Sequence, residues 1–190
     1  MKKFFMYYFL TIFVCLSVFF YVLYCTGIPG RILTRNIDVY EEGYVYDTIW
    51  ESYDELPKIV KTMLRENHYR IYVVDLINNN ERILGLTMYK ASIILIKNET
   101  YEVVDTFYHE CGHVLDDESC FGYASETKEF EGIYENERYM FVYVSPYNHE
   151  YCTSTKQEYF AQAFAEYMTN PDKLKRYTPQ TYEYIENCLN

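Results

Sequence analysis

The sequence predicts an α+β domain that follows an N-terminal apolar segment. A stretch without charged residues, positions 4–25, stands near the start of a chain of 190 residues. Two β-branched runs, positions 70–77 and 93–96, indicate a small mixed sheet. Apolar residues at helical spacing recur before and after these runs, which indicates that helices form the rest of the domain. A chain of this length is sufficient for one domain with a sizeable core.

The charge-free segment has the features of a targeting sequence. It follows Lys2 and Lys3, and as a helix it would be roughly 33 Å long, enough to cross a bilayer. Its length favours an uncleaved signal anchor, while the small residues at 25–27 leave a cleaved signal peptide open. Either interpretation places the domain outside the cytoplasm, as a single-pass membrane-anchored or a secreted protein. We therefore divide the chain into the signal anchor or signal peptide (1–30), a linker with a short strand (31–48) and the folded domain (49–190).

The part of the chain after the targeting segment is strongly acidic. Residues 31–190 hold fifteen basic and twenty-eight acidic side chains, a formal charge of −13. This balance argues against nucleic acid as a partner. Four cysteines in the same region allow up to two disulfides, and they lack the spacing of a zinc ribbon: Cys111, Cys120, Cys152 and Cys188.

The first half of the domain combines helix and strand. We predict a short strand (37–46), a helix (49–67) with Pro57 near its start or at a kink, a strand (70–77) ended by a turn (78–80), and a strand (93–96). We place the strand at 93–96 near the edge of the sheet, where an extended peptide could add a strand of its own. An interior position for this strand is an equal alternative.

The second half of the domain is mainly helical. We predict an amphipathic helix (103–115), a loop (119–123), a charged helix (125–138), a short extended piece (139–144), a helix (156–169) and a C-terminal helical segment (172–189) interrupted at Pro179. In the first of these helices the apolar residues form one stripe, and His109 and His113 fall on the other side. We therefore expect the two histidines to point towards a cleft.

The sequence His109-Glu110-Cys111-Gly112-His113 predicts a zinc site. Two histidines four residues apart lie about one turn from each other on one face of a helix. Their imidazoles can therefore bind one zinc ion, while Glu110 can polarise a zinc-activated water molecule.

A catalytic zinc site needs a third protein ligand and an open position. The metzincin pattern would require Gly at 116 and His at 119; this chain has Asp116 and Ser119, which excludes that class. A glutamate from a later helix remains. Glu158 stands out because Ala161 and Ala165 share its face and allow close packing against the helix of the histidines. The candidates are Glu118, Glu126, Glu129, Glu131, Glu135, Glu137, Glu150, Glu158, Glu166 and His149.

The segment 109–116, followed by Tyr151 and by Glu158-Tyr-Phe-Ala-Gln-Ala-Phe, resembles the catalytic domain of anthrax toxin lethal factor and the related secreted Pro-Pro endopeptidases. The resemblance extends over about residues 50–190. It implies a zincin-like metalloprotease fold of the gluzincin type, with a zinc helix and a later glutamate-bearing helix. It also implies one Zn²⁺ per chain, Glu110 as general base, Tyr151 as the group that steadies the oxyanion or protonates the leaving group, and as metal ligands His109, His113 and Glu158.

One position departs from the family pattern. The chain has Gln162 where the family has a second glutamate, which orients a zinc-binding histidine from behind. A neutral amide can still accept a hydrogen bond from an imidazole N–H, but it raises the basicity of the ligand less. Asp116 is a second candidate for a residue that orients a metal ligand without binding the metal itself.

These observations predict an exported zinc-dependent endopeptidase that hydrolyses peptide bonds with Glu110 as general base. Its partners would be a protein or peptide substrate and, through the N-terminal segment, a membrane. The alternative is a non-catalytic zincin-like binding module at the cell surface or related to a toxin.

Overall fold

The computed structural model describes residues 43–99, 101–118, 122–146 and 148–190. In this part of the chain, eight α-helices and three β-strands form a mostly helical α+β fold, as predicted. The predicted apolar segment at 4–25 and the first residues of the predicted strand at 37–46 lie outside the described residues. Among the described residues, no helix is both long and apolar enough to cross a membrane.

Two helices precede the sheet: α1 (Tyr44–Glu55) and α2 (Lys58–Glu66). We predicted one helix with Pro57 near a start or kink, and Pro57 separates the two, because proline has no N–H to donate and forces the preceding residue to be extended. The predicted strand at 37–46 is wrong from Tyr44 onward, and so is the linker predicted up to residue 48. Val45 and Ile49 are buried at helical spacing, which explains why this segment is a helix.

The sheet has three strands: β1 (Arg70–Val74), β2 (Gly85–Met88) and β3 (Ile93–Lys97). Their order is β1-β3-β2, with β1 parallel and β2 antiparallel to β3. The mixed sheet agrees with the prediction, but placing the strand at 93–96 near the edge was wrong. Strand β3 is central because its alternate side chains, Ile94 and Ile96, are buried in the core. The edge strand that leads towards the candidate site is β2, which we did not predict as a separate strand.

Six helices follow the sheet: α3 (Val103–Glu118), α4 (Lys128–Glu137), α5 (His149–Cys152), α6 (Lys156–Thr169), α7 (Pro171–Tyr177) and α8 (Pro179–Cys188). The predicted interruption at Pro179 is present. The segment predicted to be extended, 139–144, is instead a 3-10 turn (Met140–Tyr143). Phe141 explains this difference, because the turn buries its ring against Tyr159 at a centroid distance of 4.7 Å.

Helices α3 and α6 pack closely at Gly112. A Cβ atom at this glycine would lie 2.7 Å from the carbonyl oxygen of Ala161 and 2.8 Å from its Cα, so no larger residue fits without a shift. Ala161 and Ala165 are both fully buried, as we expected for small residues that let the helices approach. Because α6 covers α3, His109 and His113 are buried although they lie opposite its apolar stripe.

Three of the four cysteines of the predicted domain are described, and none of these three forms a disulfide. Cys111, Cys152 and Cys188 are free thiols. Burial raises the pKa of the Cys152 thiol to about 12 and that of Cys188 to about 11. Cys120 lies outside the described residues.

Candidate metal centre

Three predicted metal ligands meet at the contact between α3 and α6. The ligand atoms of His109, His113 and Glu158 all lie within 4.8 Å of one another. Oε2 of Glu158 is 3.1 Å from Nε2 of His109 and 3.6 Å from Nε2 of His113. The Thr155 hydroxyl accepts a hydrogen bond from the backbone N–H of Glu158 and caps α6. Glu158 therefore sits in the first turn of a capped helix, opposite the two histidines.

The charges of these side chains are coupled. Burial disfavours ionised Glu158, but the hydrogen bonds and charges of His109 and His113 outweigh burial and hold the pKa of this carboxyl well below its usual range. Burial also lowers the pKa of His109, but the bond to Glu158 and the carboxylate of Glu110 have the larger combined effect, so this pKa is raised. The cluster therefore favours positive charge between its ligand atoms, which a divalent cation would supply.

The donor set fits a zinc ion. Ligands about 2.0–2.2 Å from a tetrahedral zinc ion lie roughly 3.3 Å from each other. The two distances of 3.1 and 3.6 Å between Glu158 and the histidines are close to this spacing. Two imidazole nitrogens and one carboxylate oxygen are also a ligand set of catalytic zinc sites, which leave one position open.

Glu110 is held next to the histidines by the edge strand. The Thr87 hydroxyl, on β2, donates to Oε2 of Glu110 at 2.7 Å and also lies 3.2 Å from its backbone carbonyl oxygen. Gly85 leaves room for this carboxylate, since a Cβ atom there would contact Oε1 of Glu110 and would lie 2.8 Å from its Cγ. Strand β2 therefore fixes one oxygen of Glu110 by a hydrogen bond and packs against the other at Gly85.

The site opens into a cleft of about 230 Å³. Residues 82–85, Asn148 and Tyr151 line this cleft, and His109 and Glu110 contribute to the same surface. The cleft thus joins the edge strand β2 to the histidine helix, which is an arrangement that accommodates an extended chain.

Tyr151 stands at the mouth of this cleft. The residue is 59% exposed, and the centroid of its ring lies 6.2 Å from that of His109. Burial of the hydroxyl and the nearby carboxylate of Glu158 raise the pKa of Tyr151 well above its usual range. The phenol therefore stays protonated at ordinary pH and can donate a hydrogen bond to a group in the cleft.

Gln162 lies behind His109. Its Oε1 is 3.0 Å from Nδ1 of His109, as expected for an amide that replaces the glutamate. Its Nε2 donates to both carboxylate oxygens of Asp105, at 3.2 and 3.1 Å. The amide is thus held between the imidazole and a carboxylate.

Other candidates from the sequence have different partners. Asp116 is fully buried and accepts hydrogen bonds from the backbone N–H and the hydroxyl of Ser125, each at 2.7 Å, so it anchors the turn that follows α3. Glu166 is buried and accepts from the Asn170 amide at 3.0 Å. Nε2 of His149 lies 3.2 Å from the carbonyl oxygen of Arg138. Neither Glu166 nor His149 belongs to the metal cluster of the described residues.

Two residues that support the candidate site were given no role in our predictions from the sequence: Asp105, which contacts Gln162, and Thr87, which contacts Glu110. Asp105 precedes His109 by four residues, a spacing that places both on one helix face, so a signal for it was available. Thr87 had no such signal, because its contact with Glu110 depends on a strand of four residues that the sequence did not separate from its surroundings.

Comparisons with known proteins identify a family and a similar fold. Residues 55–188 match the family described as anthrax toxin lethal factor, N- and C-terminal domain. The fold is similar to that of the Pro-Pro endopeptidase PPEP-2 from Paenibacillus alvei, with a TM-score of 0.59 and 18% sequence identity. This similarity covers 77% of the present chain and 93% of the other. No curated protein sequence matches the chain.

Proposed function

Because this chain belongs to the family of the anthrax toxin lethal factor N- and C-terminal domains, we propose that it is a zinc-dependent endopeptidase. The observation that carries the proposal is the convergence of His109, His113 and Glu158 within 4.8 Å, next to Glu110 and at the base of a cleft. A ligand set, a candidate base and space for a substrate therefore occur together.

The residues around the cleft support a division of roles in peptide hydrolysis. When bound, a zinc ion would polarise the scissile carbonyl and make water a stronger nucleophile at neutral pH. Glu110 would accept the proton of the attacking water and pass it to the leaving amine. Since the Thr87 hydroxyl binds Oε2, Oε1 is the atom that carries this proton. Tyr151, with its protonated hydroxyl, would donate a hydrogen bond to the oxyanion.

An extended peptide is the substrate that the cleft accommodates best. Strand β2 pairs with β3 and is an edge of the described sheet, and residues 82–85, at its start, line the cleft. A peptide can hydrogen-bond to such an edge through its backbone. The similar solved structure is named a Pro-Pro endopeptidase, so peptides that contain Pro-Pro belong in the first substrate set.

Cleavage of a mixed peptide library by the full chain tests the proposal. We expect zinc-dependent cleavage that a chelator abolishes and added zinc restores. Glu110→Gln should retain zinc and lose activity by roughly 10²–10⁴-fold, the range for a general base. Unchanged turnover in Glu110→Gln would refute the role of Glu110, and no cleavage by the zinc-loaded wild type would favour the binding module.

The contact between Asp105 and Gln162 weakens the case for the alternative function, a non-catalytic binding module. The departure at Gln162 argues weakly for the module, because a neutral amide supports a metal ligand less than a carboxylate does. In the structure this amide both bonds to His109 and donates hydrogen bonds to the carboxylate of Asp105. An enzyme is therefore our preferred function.

We also propose that the domain is exported. The support is the charge-free stretch at 4–25 after Lys2 and Lys3, which is outside the described residues. Access of an added protease to a C-terminal tag on intact cells tests this; protection of the tag, with cleavage only after lysis, would refute export.

A further inference from the structure

A chain of polar side chains connects His109 to the first turn of its own helix. Nδ1 of His109 contacts Oε1 of Gln162 at 3.0 Å, and Nε2 of Gln162 contacts both oxygens of Asp105 at 3.2 and 3.1 Å. Gln162 is only 3% exposed. Its amide therefore has little access to water, and its hydrogen bonds depend on these two partners.

The order of donors and acceptors between Asp105 and His109 follows from the carboxylate of Asp105. An ionised carboxylate only accepts hydrogen bonds, so Asp105 selects the orientation in which the NH₂ group of Gln162 faces it. The amide oxygen then faces His109 and accepts from Nδ1–H. An imidazole that carries its proton on Nδ1 has its lone pair on Nε2, where it can bind a metal ion; without the metal, ionised Glu158 favours a proton on Nε2 instead.

We propose that Asp105 is a positioning residue that, through Gln162, selects the tautomer of His109 that binds the metal. This inference rests on the metal centre proposed above. It also gives a reason for glutamine at position 162: a carboxylate there would lie about 3 Å from that of Asp105, and two like charges at this distance disfavour ionisation of both. In the family, the carboxylate of a glutamate contacts the histidine directly. Here the carboxylate of Asp105 supplies the negative charge and reaches His109 through the amide of Gln162.

A charge exchange between positions 105 and 162 tests the proposal. We would measure the zinc dissociation constant of the full chain by competition with a coloured chelator. Asp105→Asn should weaken zinc binding by about tenfold or more, the effect of losing support behind a ligand, because an amide at 105 no longer selects the orientation of Gln162. Gln162→Glu should also weaken it. The double variant should bind within about threefold of wild type, since the introduced pair repeats the contact with its charges exchanged.

Glu102→Gln is the matched control. Glu102 lines the same cleft three residues before Asp105, so this variant removes an equal charge without changing the contacts of Gln162. It should bind zinc as the wild type does. Wild-type affinity in Asp105→Asn, or a double variant no better than the weaker single one, would refute the role of Asp105. A wild type without zinc would refute the metal centre and this role together.

A second measurement does not depend on metal. In metal-free Glu158→Ala, which lacks the carboxylate that faces Nε2, ¹⁵N NMR of neutral His109 should show the proton on Nδ1, and adding Asp105→Asn should shift the population towards the Nε2–H tautomer. Assignment is straightforward because the chain has four histidines. A proton on Nε2 in Glu158→Ala, or no shift when Asp105→Asn is added to it, would contradict the proposal.

Discussion

At the scale of single residues, the two groups assigned to proton transfer and oxyanion binding depend on different surroundings. Glu110 is buried and held by Thr87 at 2.7 Å, so its position is set before a substrate arrives. A hydrogen bond to a charged group contributes about 1.5–3 kcal/mol, enough to keep this carboxylate in one orientation. Tyr151 is more than half exposed and therefore can meet a substrate directly.

Tyr151→Phe tests the role of the tyrosine. Loss of one oxyanion donor typically reduces kcat by about 10²–10³-fold, and we expect this decrease with little change in KM and with zinc retained. Because the pKa of Tyr151 is raised, its hydroxyl stays protonated as the pH rises through 10. The alkaline side of the wild-type kcat profile should therefore persist at the same pH in the variant.

The matched control for this experiment is Tyr139→Phe. Tyr139 is 67% exposed, and its hydroxyl accepts from Arg138 at 2.9 Å, away from the metal cluster. This variant should retain wild-type kcat. An equal loss in both variants, or none in Tyr151→Phe, would contradict the role of Tyr151.

At the scale of helices, the contact between α3 and α6 brings the three ligands together. Gly112→Ala should separate the helices, because the added methyl group meets the backbone of Ala161 rather than a mobile side chain. Overpacking of this kind costs about 1–3 kcal/mol, which exceeds the roughly 1 kcal/mol that alanine gains over glycine inside a helix. We expect a lower melting temperature and weaker zinc binding, measured by calorimetry and by chelator competition.

Gly132→Ala makes the same substitution where space is available. No atom lies within 4 Å of a Cβ at Gly132, on α4, so this variant should be as stable as the wild type or slightly more stable. Tight zinc binding and unchanged melting in Gly112→Ala would show that the approach of α3 and α6 does not determine the geometry of the site.

The elements that the sequence predicted well are those whose pattern is local. Helix α6 could be recognised from its stripe and from Asn170-Pro171 after it, and helix α3 from its apolar spacing and its histidines. The 3-10 turn at 140–143 was misread because an apolar run of this length also fits a strand; only the burial of Phe141 against α6 decides between them. Asp105 and Gln162 are 57 positions apart in the sequence. A local sequence pattern therefore cannot predict that they are in contact.

At the scale of the whole molecule, a buried carboxylate outside the metal cluster joins several helices. Glu137, at the end of α4, accepts from the backbone N–H groups of Gln180 and Thr181 at 3.0 and 2.8 Å and from the Thr181 hydroxyl at 2.7 Å. The hydroxyls of Thr181 and Tyr159, on α6, lie 2.7 Å apart. Glu137 therefore supplies negative charge at the N-terminus of α8 and connects three helices.

Glu137→Gln should destabilise the protein without altering the metal centre. An NH₂ group would replace one oxygen that now accepts from these donors, at a cost of about 2–3 kcal/mol. For a domain of this size we expect a melting temperature lower by roughly 5–10 °C, with unchanged zinc affinity. Glu135→Gln, on the exposed side of the same helix, should lower it by less than about 2 °C. Equal melting of the two variants would contradict the structural role of Glu137.

The central claim is that His109, His113 and Glu158 form one metal centre, and the amount of zinc bound per chain tests it most directly. The measurement compares the wild type with Glu158→Gln and with Glu166→Gln, which makes the same change two turns along α6. We predict one zinc ion per chain in the wild type and in Glu166→Gln, and loss of tight binding in Glu158→Gln. No zinc in the wild type, or full zinc in Glu158→Gln, would contradict the claim.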